Sequence, residues 1–453
     1  MNPGGAALST GAPCRPLCDL LRQPMLANQA WTADLKMALD HGGSDAAWQV
    51  LNLRADEWLG DREVALQFAA VTMRFPTGAT LTTLEAIAAA FPSDGQVTVA
   101  VLAALNAMAE LRPLDAPPRD HGPEHVAAEL SKDALTRSFP PELEAYLQIN
   151  RANALRAMGP ESDSLALEAY ARALELEPDH GGWHFDLGVC HKWRGRWQLA
   201  FDQFLRARSR MGATKAVLWN MALSATALGE GDLAAGAWRD LGVENISLGK
   251  GGLPLVEGVP TRRVRVRCRP SGYGLVERPD TGFELVHIAS ISPGHGVVAS
   301  PTFEDTPLDY GDIVLFDGAP VDHDAEGPVF PVLEVLRAGD EQRLRFVAIV
   351  GSGELEALVS ALGENIRAFA HPATSEPKPN DDQLIYGKLI ASADVNAAQL
   401  CQRLEAHGKD TKRLRIAVPE LYEATGDTRR AGQEHQTWRG IERVAVKRGL
   451  TLE

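Results

Sequence analysis

Two stretches of the chain hold side chains that could react. In FDLGVCHKWRGRWQLAFDQFLRA, Phe185 to Ala207, Cys190 stands beside His191, flanked by Trp193, Trp197 and two arginines. A thiol next to an imidazole raises the question of a nucleophile and its base. In ISPGHGVVASPTFEDTPLDYGDIVLFDGAP, His295 lies between two glycines and is followed by Glu304, Asp305, Asp309, Asp312 and Asp317. Hard cations want several oxygen ligands and histidine titrates near neutrality. His295, Asp305, Asp309 and Asp312 could therefore bind a divalent cation or pair an acid with a base. Their spacing matches no calcium loop and no His-ligand motif, and Gly311-Asp312 ahead of IVLFDG is an ordinary turn into a strand. Cys14 and Cys18 could be two zinc ligands, but the neighbourhood offers no second pair and a structural site usually needs four.

The composition bounds what such residues can serve. The chain has 453 residues, 45% hydrophobic and 23% charged, enough for two to four domains with ordinary cores. No run approaches the roughly 18 to 20 apolar residues that cross a bilayer, and the opening MNPGGAALSTGAPCRPLC lacks the cationic start and apolar core of a secretory signal. The cytoplasm is the expected compartment, and five scattered cysteines agree with reduced thiols. A formal charge of −15 disfavours nonspecific binding to nucleic acid or anionic lipid.

The elements around Cys190 repeat. Gly195 is followed 34 residues later by Gly229, Ala200 by Ala234 and Phe204 by Trp238; the same step backward joins Ala200 to Ala166, Phe204 to Tyr170 and Ala207 to Ala173. A fixed period with small residues where helices touch, an aromatic further along and a closing proline marks paired-helix repeats. The pattern resembles the tetratricopeptide repeat family. Repeat one spans roughly 145 to 180, with a short insertion at PESDS. Repeat two, about 181 to 214, carries Leu187-Gly188, Gly195, Trp197, Ala200, Phe204 and Ala207. Repeat three, about 215 to 245, carries Met221-Ala222, Gly229, Ala234 and Trp238. It departs from the family at Gly231, where an aromatic is usual, and at Leu241, where alanine is usual. The resemblance implies that Cys190 and His191 face the partner helix as packing residues. Weaker helical copies precede it: a Leu59-Gly60-Asp61 turn, Ala65 and Pro76 follow the same spacing.

In this family the first helix of each repeat lines a concave surface. Placed so, Tyr146, Ile149, Asn153 and Arg156 turn inward from repeat one, Phe185, Val189, Lys192 and Trp193 from repeat two, and Trp219 and Leu223 from repeat three. Such a groove suits a peptide or protein partner with apolar anchors and an acidic group. Asn153 and Lys192 are only fragments of the family's clamp for a C-terminal carboxylate. The alternative occupant is the chain's own C-terminal half.

After LGKGGLPLVEGVP the period changes. TRRVRVRCRP puts Val264, Val266 and Cys268 on one face of a strand and Arg265, Arg267 and Arg269 on the other. Five or six short strands predict a β-barrel or β-sandwich, with the arginine strand at a solvated edge rather than on nucleic acid. IVGSGELEALVSAL lacks the glycine spacing of a dinucleotide site, so no cofactor is expected. Beyond a polar linker, strands at LIYGKLIAS and RLRIAV flank the helix NAAQLCQRLEAHG, and two helices follow as a docking or capping hairpin.

The fold class is therefore a multidomain α+β chain: an N-terminal all-α solenoid resembling tetratricopeptide repeats, a middle β-barrel or β-sandwich, and a small C-terminal α/β unit. The expected limits are a flexible segment 1–29, degenerate helical repeats 30–139, repeats 140–250, the β-rich domain 251–370, a linker 371–383 and the C-terminal domain 384–453. The expected function is a non-catalytic scaffold or adaptor that holds a partner in the groove. The alternative is an enzyme with a metal or acid-base site around His295 and Asp312, using the repeats for recruitment. The oligomeric state is not specified by these features.

Overall fold

Asp61, Asp94, His180 and Thr214 each accept hydrogen bonds from backbone amides that would otherwise go unpaired at the start of a helix. These caps set the beginnings of four helices in the first half of the chain. The computed structural model describes residues 30–112, 120–249, 251–268, 282–351, 353–371, 383–410 and 415–450. The segment expected at 1–29, with Cys14 and Cys18, lies outside the described residues, as do Arg269 and all of the linker 371–383 except its first and last residues. The chain forms two compact units: one takes the chain up to Leu255 together with Asp317–Asp322, the other takes Val256–Phe316 with His323 onward.

In the first unit the helices are α1 (Ala30–Met37), α2 (Gly43–Asn52), α3 (Arg62–Arg74), α4 (Leu81–Ala90), α5 (Gly95–Ala109), α6 (Pro123–Ala134), α7 (Pro141–Met158), α8 (Asp163–Leu176), α9 (Gly181–Lys192), α10 (Trp197–Met211), α11 (Lys215–Ala227) and α12 (Gly231–Asp240). Helix α7 packs on α8, α9 on α10 and α11 on α12. The same packing device recurs in all three pairs. Tyr170, Phe204 and Trp238 are fully buried, and 16 residues before each stands a small residue, Ala154, Gly188 or Ala222. At Gly188 a Cβ would come within 2.6 Å of the Phe204 ring, so the close approach of α9 and α10 requires glycine. Gly195 and Gly229 take φ of +65° and +75° at the turn inside their pairs, a conformation glycine adopts without strain.

The departure at Gly231 has a local cause. A Cβ there would meet the Gly252 carbonyl oxygen at 1.8 Å, so the chain at Gly252 occupies the space an aromatic ring would need. A small two-stranded sheet, β1 (Ile246–Leu248) and β2 (Pro254–Val256), follows the last helix.

The second unit begins with β3 (Arg262–Arg267), β4 (Phe283–Ser290), β5 (His295–Val298), β6 (Ile313–Phe316), β7 (Asp322–Asp324) and β8 (Gly327–Arg337). Strands β3, β4, β5, β6 and β8 pair in that order, and a parallel pairing of β3 with β8 closes them into a five-stranded barrel. Val264, Val266, Val286, Ile288, Val314, Phe316 and Phe330 are among its buried core. The arginine strand is therefore no edge: β3 is paired on both sides. Its arginines are engaged locally, Arg263 with Asp324 and Glu326 and Arg265 over the Phe283 ring at 4.6 Å.

The rest of this unit is β9 (Gln342–Val350), α13 (Glu354–Leu362), β10 (Ile366–Ala370), β11 (Gln383–Ala391), α14 (Ala397–Asp410), β12 (Arg415–Ala417), α15 (Pro419–Ala424) and α16 (Thr428–Lys447). The sheet order is β10-β11-β9-β12, all antiparallel. Strand β9, expected in a β-rich domain ending at 370, thus belongs to the sheet of the C-terminal segment, as does β10. The reason is burial on both faces. Phe346, Ala348 and Val350 pack with Leu358, Leu400 and Leu404 on one side, while Val347 and Ile349 pack with Ile441, Ala445 and Leu450 on the other.

Candidate functional site

The face formed by α7, α9 and α11 carries the residues expected to line a groove. Tyr146, Ile149, Phe185, Val189 and Leu223 are buried there rather than presented, with Tyr146 edge-on to Trp183 and Phe185 against Phe204. Asn153, Arg156, Trp193 and Trp219 keep intermediate exposure. Asn153 accepts from the Tyr170 hydroxyl at 2.6 Å and donates to Asp186 at 3.3 Å. Burial raises the Asp186 carboxyl above the usual carboxylate range. The indole N–H groups of Trp193 and Trp219 are buried and have no hydrogen-bond partner among the described residues.

Lys192 is wholly enclosed. Its Nζ lies 2.6 Å from Asp317 Oδ2, and both side chains are 0% exposed. Asp317 Oδ1 accepts from the amides of Gly318 and Ala319, and a Cβ on Gly318 would meet the Trp219 ring at 2.2 Å. The segment Asp317–Asp322 therefore lies on two of the predicted groove residues, Lys192 and Trp219. The pair spans 125 positions of sequence, and no local pattern could have announced it.

Cys190 and His191 are buried in α9. Burial raises the Cys190 thiol and lowers the His191 imidazole, so both are held neutral. A reactive pair would need the opposite shift at sulfur, toward thiolate.

In the second unit, a cavity of about 650 Å³ is lined by Asp305, Asp309 and Asp312 together with Arg343 and Lys388. The three aspartates singled out with the glycine-flanked histidine thus come together, and His295 does not join them. It sits on β5 with Nδ1 2.6 Å from Ser292 Oγ, fully buried, and its Nε2 has no partner among the described residues. Desolvation pushes its imidazole down to about 4, so it stays neutral.

Asp309 and Asp312 are engaged within the fold. Asp312 accepts from the amides of Asp309 and Gly339 and from Arg343 Nη2 at 2.5 Å; Asp309 accepts from the amides of Thr302 and Tyr310 and pairs with Lys388. These acceptors tie together the loops that carry them. Among the described residues no group of three or more His, Cys, Asp or Glu side chains could hold a metal ion. Arg343 and Lys388 escaped sequence reading because each reads as an ordinary charge on the polar side of a strand.

Fold and contacts define the class: a chain with a helical unit of recurring helix pairs, and a unit in which a closed five-stranded barrel and a covered antiparallel sheet are joined. No protein-family model matches the chain, and no curated protein matches it significantly. No helix among the described residues is long and apolar enough to cross a membrane.

Proposed function

We propose that the protein is a non-catalytic interaction scaffold, in which tetratricopeptide-like helix pairs hold a polypeptide partner and the sheet-bearing unit supplies a second surface. The observation that supports this reading is the seating of Asp317–Asp322 on α9 and α11. A carboxylate on Lys192 and a glycine against the Trp219 ring are the contacts by which a groove grips an extended peptide: a charge fixes register and an aromatic supplies desolvated area. The chain's own segment occupies that part of the face. Asn153, Arg156 and Trp193, which keep intermediate exposure, then form the part left for another protein, with the Trp193 ring as its apolar contact. The partner is a peptide or protein with apolar anchors and an acidic group for Arg156. Membrane and nucleic acid are not partners in this reading, no cofactor is needed, and the compartment is the cytoplasm, where free thiols such as Cys190 and Cys401 persist.

The test compares full-length wild type with an Arg156→Gln, Trp193→Ala variant, confirmed as folded by circular dichroism, as bait in native lysate with quantitative mass spectrometry. A specific protein retained by wild type and lost by the variant is the expected result. Identical retention by both would refute the reading.

A further inference from the structure

A cavity of about 500 Å³ lies in the second unit, bounded by α14, β12, α15 and α16 and distinct from the one beside Asp309. Its size falls within the range of small-molecule sites. Leu404, Ile416, Ile441 and Val444 give it an apolar lining, and Glu405 and Glu434 give it two carboxylates. Glu405 spends one oxygen, Oε1, on both Arg430 Nη2 at 2.8 Å and the Tyr422 hydroxyl at 3.3 Å. Glu434 spends Oε2 on the Val418 amide at 3.3 Å. The second oxygen of each has no hydrogen-bond partner among the described residues. Arg430 pairs with Glu405 and acts on Glu434 only through longer-range attraction, and Arg415, exposed on the rim, pairs with neither acid.

The helix beneath the cavity carries a second sign. Gly440 stands inside the 20-residue α16, where glycine weakens a helix relative to alanine. Nothing in the fold asks for it: a Cβ there would meet no heavy atom within 4 Å, and its φ is not in the left-handed region. What the missing side chain leaves is open space in the cavity wall, directly over helix backbone.

We propose that this cavity binds an organic ammonium with an apolar body, its cationic nitrogen between Glu405 and Glu434 and its hydrocarbon over Gly440 against Leu404, Ile416, Ile441 and Val444. Partial burial supports the choice of sign. It raises the Glu434 carboxyl above its usual range, as expected for an acid short of countercharge, and a cation supplies what Arg430 alone does not. An anionic ligand would face two carboxylates, with Arg430 already paired to Glu405 and Arg415 in solvent.

The test titrates the full-length protein by calorimetry with hexylammonium, hexanoate and hexanol, three probes of one chain length and different charge. Saturable hexylammonium binding is expected, with the other two at least about tenfold weaker, the worth of one charged hydrogen bond. Glu434→Gln, which keeps shape and removes charge, should weaken hexylammonium about tenfold, and Gly440→Phe should abolish binding by filling the space. Hexanoate binding as tight as hexylammonium would overturn the proposal, and so would unchanged affinity in Glu434→Gln, which decides alone if Gly440→Phe does not fold. Nα-acetyl-lysine methylamide is the second arm. Binding comparable with hexylammonium supports the site as a receptor for a lysine side chain, and binding of hexylammonium alone supports it as a site for a free amine.

Discussion

The two units bury charge in different ways. In the helical unit Lys192 and Asp317 form a pair with both side chains 0% exposed and no second charged partner for either among the described residues. In the second unit Asp309 pairs with Lys388 and Asp312 with Arg343, each carboxylate also accepts backbone amides, and the Asp309 amide donates to Asp312. A dry pair gives the Lys192 ammonium a single charged partner, so losing Asp317 leaves it stranded; a network with several donors redistributes the loss. The first arrangement fixes one segment in one place, and the second braces loops around a barrel.

The contrast is open to measurement, beginning with the largest effect. Asp317→Ala should cost about 3 to 5 kcal/mol in urea unfolding, because it strands the Lys192 ammonium away from water. A cost under about 1 kcal/mol would mean the pair opens to solvent and the contrast fails. His295 tests burial without charge. Its imidazole stays neutral in the folded state down to about 4 while the unfolded chain protonates near 6.5, so stability is lost as pH falls from 6.5 to 4. The loss should be on the order of 2 to 3 kcal/mol by pH 4.5 and should be absent from His295→Gln. A parallel acid profile in that variant would assign the loss to other groups.

Packing gives the next scale. Gly188→Ala drives a methyl into the Phe204 ring and should destabilise by about 1 to 3 kcal/mol, with a matching fall in the thermal midpoint. Stability equal to wild type would show that α9 and α10 can separate freely. At the small end, Arg345→Ala removes the half-exposed partner of Glu420 and should change unfolding free energy by less than about 1 kcal/mol, with the difference fading in high salt.

Different parts of the chain were legible to different degrees. The helix pairs were readable because their packing is local: Ala166, Ala200 and Ala234 do one job at one spacing, and all three are fully buried. Strands β3, β11 and β12 and helix α14 also emerged from alternation and periodicity. Sheet membership did not. The alternation of β9 looks the same whether its neighbour is the barrel or β11, and burial on both faces was decided by helices that follow it in sequence. The status of β3 as an inner strand was hidden likewise, since its arginines suggested an edge until β8 closed the barrel against it.

The sequence by itself determined the helix pairs, the small residues at their contacts, the change of period near residue 255 and the excess of negative charge, because each depends on side chains a few positions apart or on a sum over the chain. Tertiary structure alone decided that Lys192 meets Asp317, that Asp309 is answered by Lys388, that His295 stands apart from the aspartates, and that Glu405 and Glu434 line one cavity beside an open glycine. Those outcomes depend on which distant segments exclude water from the same place, and residue type and spacing carry no record of that.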